Sequence, residues 1–222
     1  SNGQWYQSIL PLHLTTANYT GALGHELAVD SIRNSLVYAS SAMLLDIGFG
    51  VLIGYLIVRT TLRGRGLLDA LSMLPLAVPG LVMAFGYVAM SIEWPFGRHG
   101  PLSGVVDIIG AEPNPVLFLV IAYAVRRLPY VVRAVVAGLE QTSGELEEAA
   151  LNLGAGRMRA VRTIILPLIT ANLVAGGLLA FSFAMLEVSD SLILAQRAQH
   201  FPITKAIYVL FHRLGDGPYI AS

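Results

Sequence analysis

The chain contains no cysteine, which rules out disulfide frameworks, thiolate metal sites and cysteine nucleophiles. It is also poor in charge. Only 13% of its 222 residues are Asp, Glu, Lys or Arg, against roughly a quarter in soluble domains, so half the usual ionic surface is missing. The formal net charge is zero, which removes the basic surplus that would point to nucleic acid as a partner. Ser1-Asn2-Gly3-Gln4-Trp5 has no basic n-region, so no signal peptide is visible. No Walker lysine motif, HExxH or GxSxG occurs, and the five His are scattered without ligand spacing, reading as loop or interfacial residues. The expectation is a chain without catalytic residues, without a metal site and without a cofactor of its own.

What the chain has in quantity is apolar length. Hydrophobic residues make up 55% of it and mean hydropathy is +0.66. A bilayer core of about 30 Å calls for roughly 20 residues at about 1.5 Å rise each. Runs near 35–58, 67–92, 115–139 and 164–186 are long enough. A large soluble enzyme with a thick core would not need runs of that length. The expected class is all-α, a polytopic transmembrane helical bundle.

Residues 1–30 hold no Lys or Arg but contain Trp5, Tyr6 and Tyr19, which suits an extracytoplasmic segment at a membrane boundary. A short helix is expected around Gly21–Val29, and residues 31–222 read as one membrane domain. In the first run, Gly50 and Gly54 form a small-xxx-small pair that favours close helix packing. Asp46, in the middle of that run, reads either as a carboxylate of a translocation path or as a hydrogen-bonded helix-contact residue. Arg59, Arg63 and Arg65 then mark a cytoplasmic end by the positive-inside rule. The second run is interrupted by Pro75, Pro79, Gly80 and Gly86, either lining a pathway or bending a packing helix. Glu93 to Asn114, with Arg98 as its one basic residue, falls outside.

The third run carries Arg126, Arg127, Pro129 and Arg133. Arginines inside a span must snorkel, pair with carboxylates or face a polar cavity, so Arg126 and Arg127 are translocation-path candidates. The fourth run passes Pro167, Gly176 and Gly177 and ends in Glu187-Val188-Ser189-Asp190-Ser191. Glu187 and Asp190 could receive a cationic cargo or could equally cap a helix. Residues 192–217 read as an external connection with a short amphipathic helix at Ile203–Phe211 and a turn at Gly215–Pro218. An apolar run begins again at Ile220, so an internal portion of a longer polypeptide is expected.

Between the third and fourth runs lies a mostly polar interval, 140–163. Thr142 followed by Glu145 is a capping-box signal, so a helix is expected to start near Ser143. Leu146, Ala149, Ala150 and Leu153 fall at helical spacing on one narrow face. Gly154 and Gly156 are natural C-cap residues, after which Arg157, Arg159 and Arg162 open a second helix on the cytoplasmic side. Small residues on an exposed helix imply that something packs closely over it.

Glu148-Ala149-Ala150, three residues, Gly154, nine residues, Ile164, one residue, Leu166-Pro167 resembles the EAA loop of ABC-importer permeases, with each fixed position filled. The resemblance extends from about Ser31 onward and includes Leu74-Pro75-Leu76-Ala77-Val78-Pro79-Gly80. It implies a type I importer permease core lacking its first and last helices, multi-pass in a prokaryotic cytoplasmic (inner) membrane. It also implies partners: nucleotide-binding ATPase subunits that carry the ATP and Mg, an extracytoplasmic solute-binding protein, and a second permease half, as a homodimer or fused pseudo-dimer. The helix near Ser143–Leu153 would be the coupling helix, with Glu148, Ala149, Ala150, Gly154, Ile164, Leu166 and Pro167 as ATPase-coupling residues. Glu187–Leu194 and Phe201–Leu210 look most like the branch serving ferric iron, with relatives for thiamine, polyamines and aminoethylphosphonate. Iron(III) is the expected cargo, although Arg126 and Arg127 would suit an anion. The competing class is an ATP-independent channel or secondary carrier, for which Asp46 is the main support.

Overall fold

Every regular element among the described residues is a helix, as the apolar runs predict, apart from one isolated antiparallel bridge between Asp107 and Asn114. The structure is a computed structural model that describes residues 20–21, 24–97, 99–110 and 113–212. Trp5, Tyr6 and Tyr19 of the expected extracytoplasmic segment, Arg98, and the Gly215–Pro218 turn lie outside the described residues.

Helix α1 (Glu26–Arg59) starts nine residues before the apolar run at Ser35. Hydropathy marks the lipid-length part of a helix, whereas its end depends on where its polar side chains find partners. Here Ser31 Oγ donates to Ala28 O at 2.9 Å, and Asn34 Nδ2 donates to Gln199 O at 2.8 Å and Phe201 O at 3.1 Å.

The second run is a broken element. Helix α2 (Arg65–Met73) passes through a 3-10 turn at Leu74–Leu76 into α3 (Gly80–Ile92), with a bend of 102°. Pro75 and Pro79 have no N–H to donate, so the ladder cannot run through them. Helix α4 (Val116–Glu140) continues through Pro129. A short helix α5 (Glu145–Asn152) is followed by α6 (Arg157–Leu168), which bends by 77° into α7 (Thr170–Met185). Within α6, Val161–Ile165 widens into a π turn just before Pro167. That widening accommodates a proline ring that would otherwise press on the carbonyl four residues back. At the bend itself Thr170 Oγ1 donates to Leu166 O at 2.8 Å. Helices α8 (Ser189–Leu194) and α9 (Ile203–Phe211) complete the described chain.

By length and composition α1 can cross a membrane on its own, and up to three spans exist if each bent pair counts as one. Helix α4, which carries Arg126, Arg127 and Arg133 among its apolar residues, supplies Val131, Val135 and Leu139 to the interior of its unit.

Contacts divide the chain into two compact units, Tyr38–Met83 with Val120–Leu186, and Ser1–Val37 with Ala84–Leu119 and Glu187–Ser222. In the first unit, α4 is central. Val131, Val135 and Leu139 pack with Ile165, Ile169 and Ala180, flanked by Ile47, Val51, Tyr55 and Val58 of α1. Helix α1 meets α4 at glycines, since a Cβ on Gly50 would stand 2.7 Å from Val131 Cγ1. Helix α7 does the same at Gly176, where a Cβ would lie 2.6 Å from that of Ala134. Besides the face it turns to this core, α1 exposes Leu44, Phe49 and Leu52 on its outer side. An outer face that is apolar as well suits lipid, where packing rather than hydrophobic collapse joins helices.

In the second unit, Phe118 is enclosed by Tyr87 and Phe96 with ring centroids 5.9 and 4.9 Å away. Lys205, the single lysine of the chain, is buried beneath α8. Its Nζ donates to Leu192 O at 3.0 Å and to Ala195 O, and sits 4.9 Å from the Phe201 ring centroid. An ammonium at these carbonyls caps α8 and faces the negative end of its dipole.

Candidate functional site

The polar interval folds as a short helix on a glycine-ended turn. Helix α5 begins two residues later than the capping signal predicts, with Gly144 at the N-cap and no side-chain cap bond. Thr142 is occupied elsewhere: its Oγ1 donates to Leu139 O at 3.1 Å and accepts from Arg59 Nη2 at 2.9 Å. A long-range arginine has displaced the local capping box.

At the other end the chain makes a Schellman motif. Gly154 has φ +87° and donates to Leu151 O at 2.9 Å, while Ala155 N donates to Ala150 O at 3.0 Å. Gly156, expected as a second C-cap, is extended and instead stands at the N-cap of α6.

The faces of α5 are inverted relative to a soluble helix. Leu146 is 53% and Leu153 90% exposed, and Glu148 and Ala149 are also outside, whereas Glu147 is only 9% exposed. Glu147 Oε1 accepts from the Tyr55 hydroxyl at 2.5 Å, and its Oε2 lies 3.9 Å from Arg59 Nε. Arg59 Nη2 also donates to Leu139 O at 3.0 Å and Thr142 O at 2.7 Å, holding the end of α4. These groups border a cleft of about 420 Å³ that also admits Glu148 and Arg157. Sequence reasoning missed Glu147. The available signal was a glutamate one residue from the motif, with Tyr55 and Arg59 one helical turn apart on a distant helix.

Further along the pattern, Ile164 and Leu166 are half-buried and Pro167 exposed, while the neighbouring Ile165 enters the core. The pattern thus combines an outward helix face with an anchored base.

Of the path candidates, three belong to the first unit. Asp46 is 1% exposed and its Oδ2 makes no hydrogen bond. It borders a small void of about 100 Å³ with Phe49, Ile121 and Leu128. The expected hydrogen-bonded helix contact is therefore not made by that oxygen. Arg127 Nη2 donates to Phe183 O at 3.2 Å and its guanidinium lies 5.7 Å from the Phe183 ring centroid, which stacks on Tyr130 at 5.1 Å. Arg126 is half-buried beside it on α4. Arg133 pairs with a carboxylate, its Nη2 standing 3.1 Å from Asp69 Oδ1.

Glu187 and Asp190 belong to the second unit, both buried. Glu187 Oε1 accepts from Ser189 N at 3.1 Å, and Thr204 Oγ1 donates to Glu187 O at 2.6 Å, so Glu187 opens α8 in the capping manner. Among the described residues no group of His, Asp and Glu is placed to hold a metal ion.

An all-helical bundle with lipid-suited outer faces, glycine-mediated helix contacts and an anchored exposed helix is the build of a membrane permease. The chain belongs to the family of binding-protein-dependent transport system inner membrane components, which its residues 46–206 match. It is 31% identical over 209 residues to the ferric transport system permease protein FbpB of Actinobacillus pleuropneumoniae, covering 93% of this chain and 28% of that protein. It is 33% identical over 190 residues to the molybdenum transport system permease protein ModB of Escherichia coli K12, covering 82% of this chain and 79% of that one. The sulfate transport system permease protein CysT of Salmonella typhimurium is 31% identical over 182 residues, with 82% and 64% covered. The chain thus spans little more than a quarter of the ferric relatives, 28% and 26%.

Its fold is also that of a solved bacterial ABC transporter involved in import of the acidic polysaccharide alginate. The TM-score is 0.62 at 16% identity, covering 95% of this chain and 76% of that one. The family is one of transport components, in agreement with the absence of catalytic motifs from the sequence.

Proposed function

We propose that this chain is the permease subunit of a binding-protein-dependent ABC importer, forming the path of a small solute across a prokaryotic inner membrane. Energy arrives from separate ATPase subunits, which hold the ATP and Mg, and the solute arrives from an extracytoplasmic binding protein. The observation that carries this reading is α5. Its apolar side, Leu146, Ala149 and Leu153, faces outward while its acidic Glu147 faces inward. A helix so turned calls for a partner over its leucines, and the Glu148–Pro167 pattern supports the ATPase as that partner. Closure of the two ATPases would then move the attached helices as rigid bodies, opening the path alternately to each side. A second permease half completes the path.

The test is co-purification of the ATPase with the full transporter. Glu148→Arg and Gly154→Pro are expected to lose it. Retention by both variants removes the coupling role.

For the cargo, iron(III) is proposed, supported by the ferric relatives. A second reading is an oxyanion, favoured by Arg126 and Arg127 on α4 and by the molybdate and sulfate relatives. Polyamine, thiamine and aminoethylphosphonate remain cargoes of the same class. Uptake by vesicles holding the complete transporter separates them: iron-dependent uptake supports the first, and uptake of molybdate or sulfate without iron replaces it with the second. Uptake that persists without ATP would replace the importer by a channel or secondary carrier.

A further inference from the structure

Both ends of α5 are connected through glycine. Gly144 precedes it, and Gly154 and Gly156 follow it. A push on α5 delivered only through these glycine connections would be partly absorbed as backbone rotation, because glycine carries no Cβ to restrict φ and ψ. A second route avoids them. Glu147 reaches across from α5 to the last two turns of α1, where the Tyr55 hydroxyl donates to one carboxylate oxygen at 2.5 Å and Arg59 stands 3.9 Å from the other.

Arg59 is itself immobilised. Its Nη2 is shared among Leu139 O, Thr142 O and Thr142 Oγ1 at 2.7–3.0 Å, and a Cβ on Gly144 would meet its Nη1 at 3.2 Å. The Tyr55 ring packs against the core formed by Val131, Val135 and Leu139. The carboxylate therefore rests on a tyrosine and an arginine that are both fixed by α4. The Tyr55 bond is charge-assisted, and such bonds are short, directional and stronger than neutral ones, whereas Arg59 adds an ion pair at 3.9 Å without a hydrogen bond from Nε.

We propose that Glu147, seated on Tyr55 and Arg59, is the positioning residue through which movement of α5 is delivered to α1. Glu148 faces the outside and has a different role. The inference rests on the reading of α5 as the ATPase-docking helix, and it adds the route by which docking is felt in the membrane-length helix α1. Because Gly50 and Gly54 of α1 lie directly against Val131 and Val135 of α4, a displacement entering at Tyr55 and Arg59 reaches both helices together.

The test is hydrogen exchange measured by mass spectrometry on the complete transporter, with and without ATP–vanadate, in wild type, Tyr55→Phe and Glu147→Gln. It needs no knowledge of the solute. Tyr55→Phe keeps the ring in the core and removes only the hydroxyl; Glu147→Gln keeps a hydrogen-bonding side chain and removes the charge. In wild type, trapping is expected to slow exchange in α5 and to change it in the 55–59 turn of α1. In both variants the α5 protection is expected to persist, while the trapping-dependent change at 55–59 shrinks by about fivefold or more, the lower end of measured site-to-site couplings. A merely structural bond would shift exchange equally in the trapped and free states and leave their difference intact. An unchanged difference in both variants overturns the proposal. Absence of α5 protection in the wild-type transporter overturns the docking reading on which it rests, and the two failures are read from different peptides.

Discussion

A Cβ built on Gly54 would lie 2.5 Å from Val135 Cγ1, so α1 and α4 touch there with no room for a side chain. The contact recurs one turn earlier between Gly50 and Val131. Gly54→Leu is expected to destabilise the protein by about 1–3 kcal/mol, the usual cost of overpacking. Gly48→Leu, at a glycine with open space around it, is expected to be near neutral. Thermal unfolding of the detergent-solubilised transporter checks both, and Val135→Ala in the Gly54→Leu background should recover part of the loss.

Gly154 holds φ +87° in open space, so its requirement for glycine is conformational and not steric. Gly154→Ala is expected to cost about 1–2 kcal/mol through the left-handed backbone alone. Gly156, at φ −70°, should accept alanine at little cost. Hydrogen exchange of the amides of Gly154 and Ala155, which close the Schellman turn, distinguishes the two substitutions.

Lys205 lies outside the membrane-spanning helices, and its burial disfavours the charged ammonium, lowering its pKa from the ordinary 10.5. Between the lowered value and 10.5 the unfolded chain still binds the proton and the folded chain has released it. Stability therefore rises with pH through that window, and below it the contribution is a constant penalty. As the chain has one lysine, selectively labelled lysine gives a single resonance to titrate. A midpoint at 10.5 or above would contradict the burial of this ammonium.

Much of the fold was legible before any coordinates. The Ile203–Phe211 helix emerges with the boundaries its amphipathic spacing predicts, and the helix of the polar interval lies within the predicted Ser143–Leu153. The same reading failed where distant groups intervened. Thr142 signals a capping box, yet Arg59 from α1 takes its hydroxyl and α5 starts at Glu145. The apolar runs at 67–92 and 164–186 read as spans with kinks, and the structure turns them by 102° and 77° at their prolines. A proline announces a missing donor, but not how far the chain turns there, which depends on what packs around the break.

By itself the sequence determined the all-helical class, the family and the position of the exposed helix. These rest on apolar length, on periodicity and on residue spacing along one stretch of chain, all of which are local quantities. Tertiary structure decided which glutamate of the pair 147–148 is inside, that Arg133 meets Asp69, and that α4 is the buried helix despite its arginines. Those outcomes depend on which side chains arrive from residues dozens of positions away. The cost of burying a charge is offset only when that partner is in place.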